Sequence, residues 1–144
     1  MTGSKMTIYP SAEATLKAIP NWPWEFFKPS EIACSHCGVV AVVPSFLDRM
    51  DNLRRMVGFP VIVNSWYRCP EWNMKVSKTG PDGPHTTGRS VDCQCYGVGA
   101  IELIRIGLNI GFTGVGVSQK GLFAQRYIHL DDLDSGMRPN IWSY

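Results

Sequence analysis

Apolar residues recur at helical spacing in two stretches of this chain. From about Ser45 to Val57, Phe46, Met50, Leu53 and Val57 fall on one face, with Ser45 as N-cap candidate, Asp48 in the first turn and Gly58 as the stop. Ala100 to Leu108 repeats the pattern with Ile101, Ile104 and Leu108 in register, closing near Asn109 to Gly111. Phe59 to Val63 reads as a buried strand that leads into Asn64 to Arg68, and Val91–Cys95, Gly114–Val117 and Gln125–Leu130 read as three more strands. Between them, Cys69 to Thr87 holds Pro70, Gly80, Pro81, Gly83 and Pro84 and is expected to be irregular. A loop of that length inside a compact domain is usually functional. Residues 1–30 are dense in proline and aromatics, among them Pro20, Trp22, Pro23, Trp24, Phe26, Phe27 and Pro29. They are expected to lie on the core as an extended arm, with a short helix over Ser11 to Ile19. The order helix, strand, loop, strand, helix, strand, strand predicts an α+β fold, a small and mainly antiparallel sheet with flanking helices.

Composition narrows the class. At 144 residues with 44% hydrophobic content, the chain is expected to form one domain, 1–144, with residues 1–24 as its N-terminal arm. A net charge of +2 with no Lys/Arg-rich run argues against a nucleic-acid partner. No run approaches the roughly 18 apolar residues of a membrane span. Met1 to Met6 lacks the basic, apolar, small-residue order of an export signal, and Met6 is a second candidate start. Synthesis in the cytoplasm without a signal, and a monomeric state, are the expectations.

The chemistry lies in two segments, Gly83-Pro84-His85-Thr86-Thr87-Gly88-Arg89-Ser90-Val91-Asp92 and Tyr127-Ile128-His129-Leu130-Asp131. They hold two of the three histidines of the chain, each followed by an aspartate. Two imidazoles and a carboxylate, His85, Asp92 and His129, are a ligand set suited to catalytic zinc with one position left open. Gly88 permits a tight turn between His85 and Asp92, and strand alternation puts Tyr127, His129 and Asp131 on one face. Taken singly, each residue has an ordinary structural reading: a solvated loop histidine, a capping aspartate, a core histidine. Together they point to a metal site.

Five cysteines are an odd number, so they cannot all pair within one molecule. Cys34-Ser35-His36-Cys37 is a CxxC motif, and Cys34 and Cys37 form a candidate second metal site that Cys69, Cys93 or Cys95 could complete only through the fold. The alternative is a set of reduced, partly buried thiols.

His85-x6-Asp92 followed by His129 resembles the metal signature of the M15 zinc peptidases, the D-alanyl-D-alanine carboxypeptidase and phage-endolysin group related in fold to the Hedgehog signalling domain. Val63-Asn64-Ser65-Trp66-Tyr67-Arg68-Cys69-Pro70-Glu71-Trp72-Asn73 is similar to the S-G-Y-R-C-P-x-x-N segment of that family, and Gly114-Val115-Gly116-Val117 to its G-x-G-V strand. Ser30 to Cys34 and the tail Arg138 to Tyr144 are similar to segments of its phage branch. The likeness extends over about residues 25 to 144. Trp66 stands where the family has glycine and Gly83 where it commonly has serine. Tyr127 and Arg126 stand where some members carry a second histidine or a glutamate before the last ligand.

The resemblance implies zinc-assisted hydrolysis of the peptides of bacterial peptidoglycan, as a carboxypeptidase or endopeptidase of phage or prophage origin. Zinc on His85, Asp92 and His129 would acidify a water and polarise the scissile carbonyl. Asp131 is the candidate general base, with an alternative role as acceptor of the free N–H of a ligand histidine. Arg68 is the candidate for binding the oxyanion or a substrate carboxylate, and Tyr127 a further candidate substrate contact. Action on the wall after release, or from a virion, would follow. The rival reading is a non-catalytic, metal-binding structural module of a phage particle.

Overall fold

The computed structural model describes residues 5–144; Met1 to Ser4, the head of the expected arm, lie outside them. Strand β1 (Thr7–Tyr9) pairs antiparallel with β2 (Val40–Val42) in a two-stranded ribbon. Helix α1 (Ala12–Ala18) follows β1, capped by the Ser11 hydroxyl, which accepts from the Ala14 N–H. A single turn, α2 (Pro29–Ile32), ends the arm. The expected short helix is present, but the arm is more ordered than a purely extended one. Asp51 accepts the backbone N–H groups of Glu25 and Phe26 at 2.8 and 3.2 Å, and Asp48 accepts the indole N–H of Trp24 at 2.8 Å. Phe27 is buried in the core.

Helix α3 (Pro44–Val57) buries Phe46, Leu47, Met50 and Leu53 and stops at Gly58 in the left-handed conformation. Its N-cap is Val43 rather than Ser45, because Pro44 needs no hydrogen-bond acceptor and takes the first helical position. The main sheet has the order β3-β4-β6-β5-β7, from β3 (Ile62–Ser65), β4 (Ser90–Gln94), β5 (Gly114–Ser118), β6 (Tyr127–Asp131) and β7 (Asn140–Ser143). All neighbours are antiparallel except β5 and β7, which run parallel. The expected α+β class with a mainly antiparallel sheet is what the chain forms. β3 begins later than expected and is a half-exposed edge strand rather than a buried one.

Helix α5 (Gly97–Asn109) lies on the sheet face that carries Leu130: a Cβ at Gly107 would meet the Leu130 methyls at 3.5 Å. Its buried residues are Ala100, Leu103, Ile106 and Gly107, whereas Ile101 and Leu108 are exposed, so the packed face is rotated from the expected one. The region from 69 to 87 is also more regular than its prolines suggest. Pro70 opens a helix, α4 (Pro70–Val76), and Pro81 and Pro84 sit at the starts of two 3-10 turns. Val91, Cys93, Ile128, Leu130 and Val115 join the core with α3 and α5. No helix among the described residues is long and apolar enough to cross a membrane.

Candidate metal centre

With alternate residues of β6 committed to the core, Tyr127, His129 and Asp131 share the opposite face, as alternation predicts. The register of β4 and β6 sets Asp92 directly across from His129 and Ser90 across from Asp131. The third contributor, His85, arrives on the last 3-10 turn, and Gly88 at φ +72 reverses the chain into β4. Two distant segments, 83–92 and 127–131, therefore converge on one site.

The His85 Nε2 lies 3.3 Å from Asp92 Oδ1, and His129 Nδ1 lies 3.1 Å from the same oxygen. Zinc bonds to nitrogen and oxygen of about 2.0–2.1 Å imply tetrahedral ligand–ligand edges of about 3.3–3.4 Å. The two edges that meet at Asp92 Oδ1 are thus close to those of a zinc tetrahedron, and all three donor atoms lie within 4.8 Å of one another. The outer nitrogens are also fixed. His85 Nδ1–H donates to the Trp66 carbonyl at 2.7 Å, leaving Nε2 free as a ligand. His129 Nε2–H donates to Asp131 Oδ2 at 2.7 Å, which leaves Nδ1 directed at Asp92. All three ligands are buried.

Asp131 is wholly inaccessible, and Arg138 clamps it with two parallel bonds of 2.8 Å, Nε to Oδ1 and Nη2 to Oδ2. Burial raises its pKa, but Arg138 and His129 outweigh burial and hold it at about 2. Asp131 lies behind the His129 ring and is not among the cavity-lining residues. The two glycines of β5 make this possible. A Cβ at Gly114 would collide with the Asp131 carboxylate, and one at Gly116 would meet the Trp142 indole at 2.7 Å. That is a steric reason for a G-x-G strand here.

Arg68 leaves the end of β3 and spreads its guanidinium over three acceptors: Ser65 Oγ at 3.1 Å, Asn73 Oδ1 at 3.1 Å and Asp92 Oδ2 at 3.2 Å. Its contact with Asp92 holds the oxygen that the histidines do not face. Burial raises the Asp92 pKa, but His129 and His85 outweigh it and the carboxyl falls well below the usual range. Tyr127 stands on the wall of the same cavity, and burial pushes its hydroxyl up. Arg68, His85, Asp92, Tyr127 and His129 are therefore brought together, while Asp131 stands one ring away.

The cavity holds about 800 Å³ and has further walls that the sequence did not single out as site residues: Lys78, Arg138, Trp142 and Tyr144. The last three belong to the tail, which β7 returns to the site by pairing with β5. Trp142 packs on the His129 ring at 5.1 Å, and the Arg138 guanidinium stacks over Trp142 at 5.1 Å. The alternation Trp142, Tyr144 was the available signal. Asp92 is the single side-chain carboxylate among the described residues lining the cavity. Cys34 and Cys37, the candidate second pair, lie apart from this cluster and gather with Cys69.

The Peptidase M15 family model matches residues 25–131 of the chain. That span takes in all three candidate ligands and ends at Asp131. Searches of curated proteins and of solved structures gave no match.

Proposed function

From the premise that this chain belongs to the Peptidase M15 family, we propose that it is a zinc-dependent hydrolase of the peptides of bacterial peptidoglycan, of the endolysin type and encoded by a phage or prophage. The observation that carries the proposal is the His85, Asp92 and His129 triad, spaced for zinc at the foot of an open cavity. When bound, zinc supplies Lewis acidity to a scissile carbonyl and lowers the pKa of water. The residues around it bind and orient. Trp66 and Asp131 hold the two imidazoles in the ligating tautomers, and Arg138 holds Asp131 in turn. In this reading Asp131 is an orienting partner and not the proton acceptor, because it is turned from the cavity and paired with a guanidinium. Arg68, with Lys78 and Arg138 on the walls, gives the cavity a cationic lining suited to the carboxylates of wall peptides. Tyr127 and Arg68 are the candidate donors to a developing oxyanion.

A second reading rests on the shortage of carboxylates. With Asp92 alone on the cavity wall and committed to the imidazoles, no free acid is placed to take a proton among the described residues. A binding module of a phage particle that keeps the metal and has lost hydrolysis accounts for that. Incubation with purified peptidoglycan, followed by mass spectrometry of the soluble products, separates the two. Release of peptides with new termini, abolished in His85→Ala, supports the hydrolase. Intact wall peptides with retained metal support the module.

A further inference from the structure

Cys69 lies 32 residues beyond Cys37, the nearer cysteine of the CxxC, yet the sulfurs of Cys34, Cys37 and Cys69 all fall within 4.8 Å of one another. We infer that Cys34, Cys37 and Cys69 form a structural zinc site separate from the triad, with His36, which stands beside Cys69, as the candidate for its fourth position.

Local geometry builds the first half. The segment Cys34-Ser35-His36-Cys37-Gly38 folds into a tight knuckle: the Gly38 N–H donates to the Cys34 carbonyl at 2.8 Å, and the Cys34 N–H donates to the Val39 carbonyl at 2.8 Å. Gly38 sits at φ +77, a conformation that a side chain would strain, and this turn aims both thiols to one side. Cys69 comes from the N-cap of α4. Its Sγ lies 3.7 Å from His36 Nδ1. Zinc bonds of about 2.3 Å to sulfur and about 2.0–2.1 Å to nitrogen imply a tetrahedral S–N edge of about 3.6 Å. The His36 ring is held in place by stacking on Trp72, 4.9 Å between centroids and 2° from parallel.

The sulfurs also receive the backbone donors that thiolates require. The Cys69 N–H points to Cys34 Sγ at 3.4 Å and the Trp72 N–H to Cys69 Sγ at 3.4 Å. All three are free thiols, and a disulfide between any two would leave the third without a partner, whereas a tetrahedral ion uses all of them. Three thiolates closed by an imidazole would make a structural rather than a catalytic ion, and soft thiolates select zinc over magnesium or calcium.

The position gives the ion a job. It would tie the knuckle to residue 69, next to Arg68, whose N–H donates to the His85 carbonyl at 3.1 Å. The segment that it anchors also includes Trp66, whose carbonyl orients the first ligand histidine.

Metal analysis and cobalt substitution test this independently of the triad. In His85→Ala, which disables the triad, about one zinc per chain is expected to remain, and cobalt loading is expected to give a thiolate-to-metal charge-transfer band that nitrogen and oxygen donors cannot produce. Cys37→Ser, an exposed position, is expected to abolish that band and lower the melting temperature, and His36→Ala to weaken retention against a chelator. Absence of the band in cobalt-loaded His85→Ala overturns the inference. So does a native mass short of the hydrogens of a dithiol, which reports a disulfide instead. A wild-type protein that shows the thiolate band but hydrolyses no wall peptide leaves this site standing and removes only the hydrolase reading.

Discussion

Replacing Asp131 with asparagine separates its two jobs. The substitution keeps size and shape but removes the charge that faces both His129 Nε2 at 2.7 Å and the Arg138 fork at 2.8 Å. A hydrogen bond to a charged group contributes about 1.5–3 kcal/mol and a neutral one about 0.5–1.5 kcal/mol, so the His129 contact weakens by about 1–1.5 kcal/mol. At about 1.4 kcal/mol per decade that is near tenfold in metal affinity. The amide can also turn its NH₂ toward His129 and disturb the tautomer, which carries the expectation into the 10–100-fold range typical of outer partners of metal-bound histidines, about 30-fold. Removing one partner of a buried ion pair costs about 3–5 kcal/mol, and the amide oxygen still accepts one Arg138 bond, so the metal-free protein should lose about 3 kcal/mol. Competition titration with a chromophoric chelator reads the affinity, urea melts of the metal-free protein read the stability, and hydrolysis at saturating zinc reads the rate. Weaker zinc binding with activity restored at high zinc is the expected result. Unchanged affinity with turnover down by about two to four orders of magnitude would make Asp131 the general base and refute the reasoning.

Three other changes probe separate parts of the site. His85→Ala should lose the triad metal, and a full equivalent retained there, with the cysteines blocked, would show that the three residues do not bind as a set. Arg68→Lys should keep fold and metal yet lower turnover about tenfold or more, because an ammonium cannot span Ser65, Asn73 and Asp92 as the fork does; unchanged kinetics would return Arg68 to a structural role. Gly114→Ala should cost about 1–3 kcal/mol and weaken zinc binding by pushing the Asp131 carboxylate from its place, and identical melting and metal affinity would disprove that the glycine makes room for it.

The parts of this architecture legible in the sequence were those set by local rules. Alternation along β6 separated His129 and Asp131 from Ile128 and Leu130, and the αL stop at Gly58 ended α3 as expected. Helix α5 shows where such rules lose power. Its sequence, GVGAIELIRIGLN, is apolar on most sides, so spacing alone could not choose a face. The sheet chose the one with Ala100 and Gly107, and Gly107 allows close approach to Leu130. Prolines misled in 69–87 because each lies where a helix or turn begins and its missing N–H costs nothing. The tail was legible as a resemblance but not as a wall of the site, since the pairing of β7 with β5 is a long-range event that no local pattern reports. The same holds for Cys69 as partner of the CxxC.

Charge in the cavity separates binding from chemistry. Arg68, Lys78 and Arg138 stand on its walls against one carboxylate, Asp92, whose oxygens are already directed at two imidazoles and a guanidinium. Such a cavity favours an anionic ligand, and the ionic part of that attraction should weaken as salt shortens the screening length to about 8 Å at physiological strength. Both readings of the function share this property, because it depends on the guanidiniums and not on a proton acceptor. Affinity for an acidic wall peptide therefore carries no weight between hydrolase and binding module. Bond cleavage does, and it needs an acceptor for one proton. Asp131 is locked behind His129, and Asp92 has Oδ1 on the two imidazoles and Oδ2 on Arg68, so no side-chain carboxylate among the described residues of the wall is open to take that proton. Either reading leaves Arg68 on Asp92 Oδ2, so only detected cleavage of a wall peptide separates hydrolase from binding module.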